Sequence, residues 1–331
     1  MPVAAYRAPR WLPGSHLQTI WPATLSPCPS IRWRRERWAT PDDDFIDVDF
    51  ALPGPSDPHP GDTAPRLVLF HGLEGGSRSH YARAIAAGAQ ARGWHFAVAH
   101  FRGCSGELNR APRAYHSGDS AEIDWILRRF ARSATPGAPL VAMGVSLGAN
   151  TLLKWLGEQR ESARDVVRAA AAVSAPHDLH ASAVVLSRGF NLVYMRHFLK
   201  TLKRKSAAKL AQYPGLFDGP RMLRSRDFFD FDDAVTAPLH GFASCFDYWE
   251  RSSCRRFLAD IHVPTLVLNA LNDPFLPARA LALRDEVSTH VVLDYPGAGG
   301  HAGFPQGLPP GRLDWLPARA LDHLAGALAD G

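Results

Sequence analysis

The sequence predicts an α/β fold: a mostly parallel central sheet with helices on both faces and a single helical insertion. Two observations carry this. Short, continuous apolar runs alternate with amphipathic helical patterns along most of the chain, as buried parallel strands and their covering helices do. The alternation breaks once, between Pro176 and about Arg255, where the pattern turns helical and basic without a buried-strand signal.

The elements follow in order. The first forty residues are rich in Trp, Arg and Pro, show no periodicity and read as an irregular arm. Asp44–Leu52 (DFIDVDFAL) alternates apolar and acidic residues, as a half-buried strand does, and Pro53–Pro65 is a loop. Arg66–Phe70, Phe96–Phe101, Leu140–Gly144 and Ala169–Ser174 read as strands, joined near the end by Thr265–Ala270 and His290–Tyr295. Helices are expected at Tyr81–Arg92, Asp119–Ala131, Leu147–Gln159, Ala278–Glu286 and Leu313–Ala329. The expectation is one domain over residues 1–331, with an arm at about 1–40 and a cap inserted at about 176–255.

Composition narrows the function classes. At 46% hydrophobic and 21% charged, the 331 residues match a soluble globular enzyme. Cys28, Cys104, Cys245 and Cys254 form no C-x-x-C pair or zinc pattern, so free thiols in a reducing compartment are expected. No run approaches the ~20 apolar residues of a membrane-spanning helix. Met1–Ile20 has no continuous apolar core of a secretory signal, which makes the cytoplasm the expected location. A net charge of +5, not concentrated on one element, gives no reason to expect nucleic acid as a partner. One local bias stands out: Arg188–Arg226 holds ten basic residues and only Asp218 as an acid. A solvated helix face accounts for it, with attraction to an anionic substrate or transient contact with an anionic membrane surface as the alternatives. Oligomeric state is not legible.

The chemistry lies in the loops after the strands. Gly144-Val145-Ser146-Leu147-Gly148 matches G-x-S-x-G between the strand LVAM and a helix, the context of a nucleophile elbow. Ser146 is therefore the expected nucleophile. His301, in a glycine-rich loop after the last strand, is the expected base. Asp273, in Asn272-Asp273-Pro274 after the strand TLVLNA, is the expected acid, with Asp178 and Asp294 as rivals. An oxyanion needs two prepositioned N–H donors; Leu147 and Leu73, the latter in His71-Gly72-Leu73-Glu74-Gly75-Gly76, are the candidates. His71 reads as a loop-shaping residue, and His71, Gly72, Cys104 and Val145 are candidates for the pocket wall. Phe190, Leu192, Val193, Tyr194, Phe198 and Leu202 either line an acyl channel or form the cap's own core. No metal or organic cofactor is expected.

Taken together, these residues resemble the YheT-like branch of the α/β-hydrolases, related to mammalian lipid-hydrolysing members of that fold. The likeness spans nearly the whole chain. It rests on Gly14–Ile20 (GSHLQTI), His71–Gly75 (HGLEG), Phe101–Gly106 (FRGCSG), Gly144–Asn150 (GVSLGAN), Asn272–Pro274 (NDP) and Gly299–His301 (GGH). It implies a Ser146–Asp273–His301 triad acting on acyl esters, including acylglycerols or phospholipids as substrates. The same triad serves thioesterases, amidases and acyltransferases, which are the enzyme alternatives. A lipid-binding protein with an idle triad is the non-enzymatic one.

Overall fold

A computed structural model describes residues 4–330. Among them the chain forms one sheet of eight strands. The strands are β1 (Arg32–Ala39), β2 (Phe45–Leu52), β3 (Arg66–Phe70), β4 (His95–Ala99), β5 (Leu140–Val145), β6 (Ala169–Val173), β7 (Thr265–Leu268) and β8 (Val291–Asp294). Their order is β1-β2-β4-β3-β5-β6-β7-β8. β1 pairs antiparallel with β2 and β2 with β4; every other pairing is parallel. The central strands are buried on both faces, which is why RLVLF, LVAMGV and AAAAV carry no polar alternation.

The helices are α1 (Ser15–Thr24), α2 (His80–Gln90), α3 (Ser120–Ser133) and α4 (Leu147–Gln159), then α5 (Leu179–Leu186) and α6 (Leu192–Gln212). After them come α7 (Gly219–Arg224), α8 (Phe228–Phe231), α9 (Ala237–Leu239), α10 (Cys245–Ser252) and α11 (Trp315–Ala329). One face of the sheet packs on α3 and α4 through Ile123, Leu127, Leu152 and Trp155. The other packs on α2 and α11 through Ile85, Ala89, Trp315 and Leu321. Helices α5–α10 all fall between β6 and β7 and hold a small core of their own around Met195, Leu199, Met222 and Phe231.

Two expectations are corrected. The first forty residues are not an irregular arm: they contain α1 and β1. β1 escapes a hydrophobic-pattern reading because ion pairs rather than apolar burial hold one face of it. Arg35 and Arg37 sit directly across from Asp49 and Asp47 and grip them bidentately at 2.7–2.9 Å. The helix expected over Ala278–Glu286 is also absent; only two 3₁₀ turns form, Ala278–Ala280 and Arg284–Glu286. The intervening backbone is extended. The Ala282 N–H donates to His177 Nδ1 (3.0 Å) and its carbonyl accepts from the Tyr295 hydroxyl (3.1 Å), so side chains take the bonds a helix would use.

Candidate active site

Ser146 sits between β5 and α4 with φ of 54°, a left-handed backbone that a non-glycine residue adopts only when its surroundings enforce it. Its N–H donates to Val173 O (2.9 Å) and its carbonyl accepts from the Asn150 N–H (3.0 Å). The flanking glycines are dictated by space. A Cβ on Gly144 would strike the backbone of Gly148 and Ala149, and one on Gly148 would strike the Phe70 and His71 carbonyls. A tight strand–turn–helix with the serine at its apex is the outcome.

The structure brings His301 and Asp273 together. His301 Nδ1 lies 2.9 Å from one Asp273 carboxylate oxygen and 3.2 Å from the other. Asp273 is buried, and its Oδ1 also accepts from the Phe275 N–H at 2.8 Å. The Phe275 ring packs tilted against the imidazole, with ring centroids 4.2 Å apart. The rivals are occupied elsewhere: Asp178 caps α5 by accepting from the Ala181 N–H, and Asp294 pairs with Arg319 at 2.7 Å. No hydrogen bond joins the Ser146 hydroxyl to His301 among the described residues, although both border one cavity; such bonds are often long until substrate binds.

Gln18 and Thr19, which sequence reading used only as part of GSHLQTI, hold the histidine loop. Thr19 Oγ1 accepts from the His301 N–H (2.9 Å), and Gln18 Oε1 accepts from the Gly299 N–H (2.9 Å) and from Asn272 Nδ2 (3.0 Å). Asn272 Oδ1 accepts from the Gly300 N–H in turn (3.1 Å). α1 thus clamps the acid loop and the base loop to each other. A Cβ on Gly300 or Gly303 would collide with the Gln18–Thr19 backbone, which explains the small residues beside the histidine.

On the opposite side, Leu73 and Leu147 border the cavity and their backbone N–H groups have no acceptor among the described residues. The loop is built from below. His71 is fully buried; its Nε2 accepts from the Phe101 N–H (3.0 Å), which leaves Nδ1–H to donate to Gly72 O (2.8 Å). Burial pushes its pKa down to about 3, so the ring is a neutral brace. Glu74, at φ 57°, is pinned by Tyr115, whose hydroxyl accepts from the Glu74 N–H and donates to its carboxylate. Lys205 of α6 donates to the same carboxylate oxygen at 2.8 Å.

The cavity measures about 160 Å³ and runs from Ser146 between the sheet and α5–α10. Its wall corrects one expectation: His71, Gly72, Cys104 and Val145 do not line it. His71 and Val145 are fully buried below the surface, and Gly72 lies against the back of Ser146 with its N–H bonded to the Tyr81 hydroxyl. Cys104 lies behind Glu74 and Lys205, and burial pushes its thiol up to about 12. Of the apolar residues singled out in the insertion, Phe198 and Leu202 do line the cavity. Phe190 and Val193 face solvent, and Tyr194 packs on Phe275.

Residues 65–307 match the family model described as the alpha/beta hydrolase fold. The chain belongs to the α/β-hydrolase family. Over 93% of its length it is 38% identical to YheT of Escherichia coli K12, covering 89% of that protein. It is 27% identical to the mouse phospholipase ABHD3, over 92% of this chain and 74% of that one. Among solved structures, the hydrolase fold recurs in Est1E of Butyrivibrio proteoclasticus, with a TM-score of 0.56 at 12% identity over 89% of this chain and 99% of the other. No described helix is long and apolar enough to cross a membrane.

Proposed function

We propose that the chain is a serine hydrolase that cleaves carboxylic esters by way of an acyl-enzyme on Ser146. The observation that carries the reading is Ser146, at a strained strand–helix apex, sharing one cavity with a His301–Asp273 pair. Asp273 holds His301 with Nδ1 protonated, leaving Nε2 as the base. Nε2 takes the Ser146 hydroxyl proton as the oxygen adds to the ester carbonyl. The Leu73 and Leu147 N–H groups hold the resulting oxyanion. The carbon–alkoxy bond then breaks and the proton on Nε2 leaves with the alcohol. A water molecule, giving its proton to Nε2, attacks the acyl-enzyme and releases the acid and free Ser146. Apolar walls at Phe198, Leu202, Phe217 and Phe228 suit an acyl chain of short to medium length.

The insertion between β6 and β7 acts as the cap and selects the substrate. Its exposed cations, among them Arg188, Arg196, Lys200 and Arg204, suit transient contact with an anionic lipid surface. The basic run is nevertheless not a solvated face throughout, since Lys205 and Lys209 turn inward to Glu74 and to the Asn109 carbonyl.

The test is hydrolysis of p-nitrophenyl esters from acetate to palmitate by wild type and Ser146→Ala. Turnover by the wild type, with a chain-length optimum, that drops at least ~10³-fold in the mutant supports the reading. A wild type inactive on every chain length rejects ester cleavage.

A further inference from the structure

One end of the cavity is polar, and the ester chemistry does not use it. There His116 and His240 meet with ring centroids 4.3 Å apart, both on the cavity wall. His116 Nδ1 accepts from the Gly118 N–H at 3.2 Å, which places the proton of the neutral ring on Nε2. His240 Nε2 is buried with no partner among the described residues. An unpaired buried polar atom is costly, and this one belongs to a residue on the cavity wall, where a ligand can complete it.

Two polar side chains on the same wall are already engaged. Asp232 accepts from Thr236 Oγ1 (2.6 Å) and Trp249 Nε1 (2.8 Å), and the Tyr248 hydroxyl accepts from the Ser117 N–H (2.9 Å). The local backbone is unusual too. Asp232–Thr236 is a π-helical turn, which widens the helix where Asp232, Val235 and Thr236 face the cavity; such turns are rare and concentrate at functional sites. The subsite is tied to the nucleophile's own helix: the Ser117 carbonyl, one residue from His116, accepts from Asn150 Nδ2 and Thr151 Oγ1 in α4.

Charge decides what could bind. Burial pushes His116 down to about 4 and His240 down to about 3, so both rings are neutral near neutral pH. The cations on the cavity wall are Arg102, Lys205 and Lys209, and each is engaged. Arg102 pairs with Asp44 and Glu122, Lys205 with Glu74, and Lys209 donates to the Asn109 and Ala111 carbonyls. An anionic head group would meet cations already engaged by acids or backbone carbonyls.

We propose that His116 and His240 form a subsite for a neutral hydroxyl group on the ester substrate. A hydroxyl can accept from the His116 Nε2–H and donate to a nitrogen of His240; a methyl group can do neither, and a phosphodiester cannot donate. The inference rests on the ester-hydrolase reading and names the substrate class for that site.

The experiment measures kcat/KM for 1-octanoylglycerol, methyl octanoate and 1,2-dioctanoyl-glycerophosphocholine, which carries no hydroxyl, with wild type, His240→Phe, His116→Phe and His240→Gln. The subsite predicts that wild type prefers the glyceryl ester to the other two. It predicts that the glyceryl-to-methyl ratio falls about tenfold in either Phe variant and recovers in His240→Gln, which restores a polar atom near Nε2. Because the readout is a ratio, partial loss of folded enzyme cancels, and two independent Phe variants guard against one failing to fold. A ratio unchanged by both Phe variants overturns the subsite while leaving the esterase reading intact, as does equal turnover of the phosphocholine ester by wild type. Failure of wild type to cleave even methyl octanoate rejects the esterase reading, and the subsite falls with it.

Discussion

Thr19 and His301 are far apart in sequence, yet a hydrogen bond between them helps to hold the histidine loop. Thr19→Val keeps the side-chain volume and deletes the acceptor for the His301 N–H. The imidazole would lose part of its placement on the cavity wall it shares with Ser146 while the cavity keeps its shape. The expected outcome in ester hydrolysis is a fall in kcat of about tenfold, roughly 1.4 kcal/mol, with KM within about twofold. A change in KM alone would mean that Thr19 shapes the pocket and not the base. At this scale the candidates Ser146, Asp273 and His301 were legible because G-x-S-x-G, the loop acid and the loop histidine each follow an apolar strand in the order the fold requires. The pocket wall was not. Position in loops on the active-site side of the sheet suggested His71 and Cys104, but His71 is buried beneath the site and Cys104 lies behind Glu74 and Lys205.

Elements show where hydrophobic periodicity succeeds and where it stops. Strands β3, β5 and β6 and helix α4 were legible because burial on nearly every side leaves an apolar record. β1 was not, because its register is set by paired charges. Asp49 shows what that costs. It is buried, and it accepts from Arg35, from Ser77 Oγ at 2.5 Å and from His100 Nε2 at 2.8 Å. Burial would raise its pKa, but these donors outweigh burial and hold the carboxylate far below its usual range. Asp49→Ala would strand a buried donor set at the β1–β2–β4 junction. A loss of about 3 kcal/mol is expected, read as a lower urea midpoint at unchanged slope. An unchanged midpoint would show that β1 is held by packing of Trp33 and Trp38 instead. α1 was missed for a related reason: it is stabilised by what it clamps, the Asp273 and His301 loops, rather than by a strong stripe of its own.

The whole molecule carries buried neutral histidines, and they set how stability depends on pH. His71 and His177 are fully buried, and burial pushes them down to about 3 and about 4. Both titrate near 6.5 once unfolded. Below that value the unfolded chain binds protons the folded chain refuses, so stability rises with pH and falls as pH drops from about 6.5 towards 4. Each contributes a loss of up to about 2 kcal/mol by pH 5, before the carboxylates begin to titrate. A melting temperature lower at pH 5 than at pH 7.5, with His71→Asn and His177→Asn flattening the difference, is the expected result. A profile flat over that range would mean these rings take up protons in the folded state. The insertion was legible at this scale as a break in the strand–helix alternation. Its polar end was not, because His116 and His240 lie 124 positions apart and only folding brings their rings together.

The central claim is that Ser146 carries the acyl group. Wild type and Ser146→Ala, each mixed with p-nitrophenyl butyrate and acid-quenched within one turnover, would be digested and read by mass spectrometry. The account predicts a butyryl adduct on the peptide containing Ser146, an equal burst of nitrophenol, and neither in the mutant. Acylation on another residue, or a burst that survives Ser146→Ala, would contradict it.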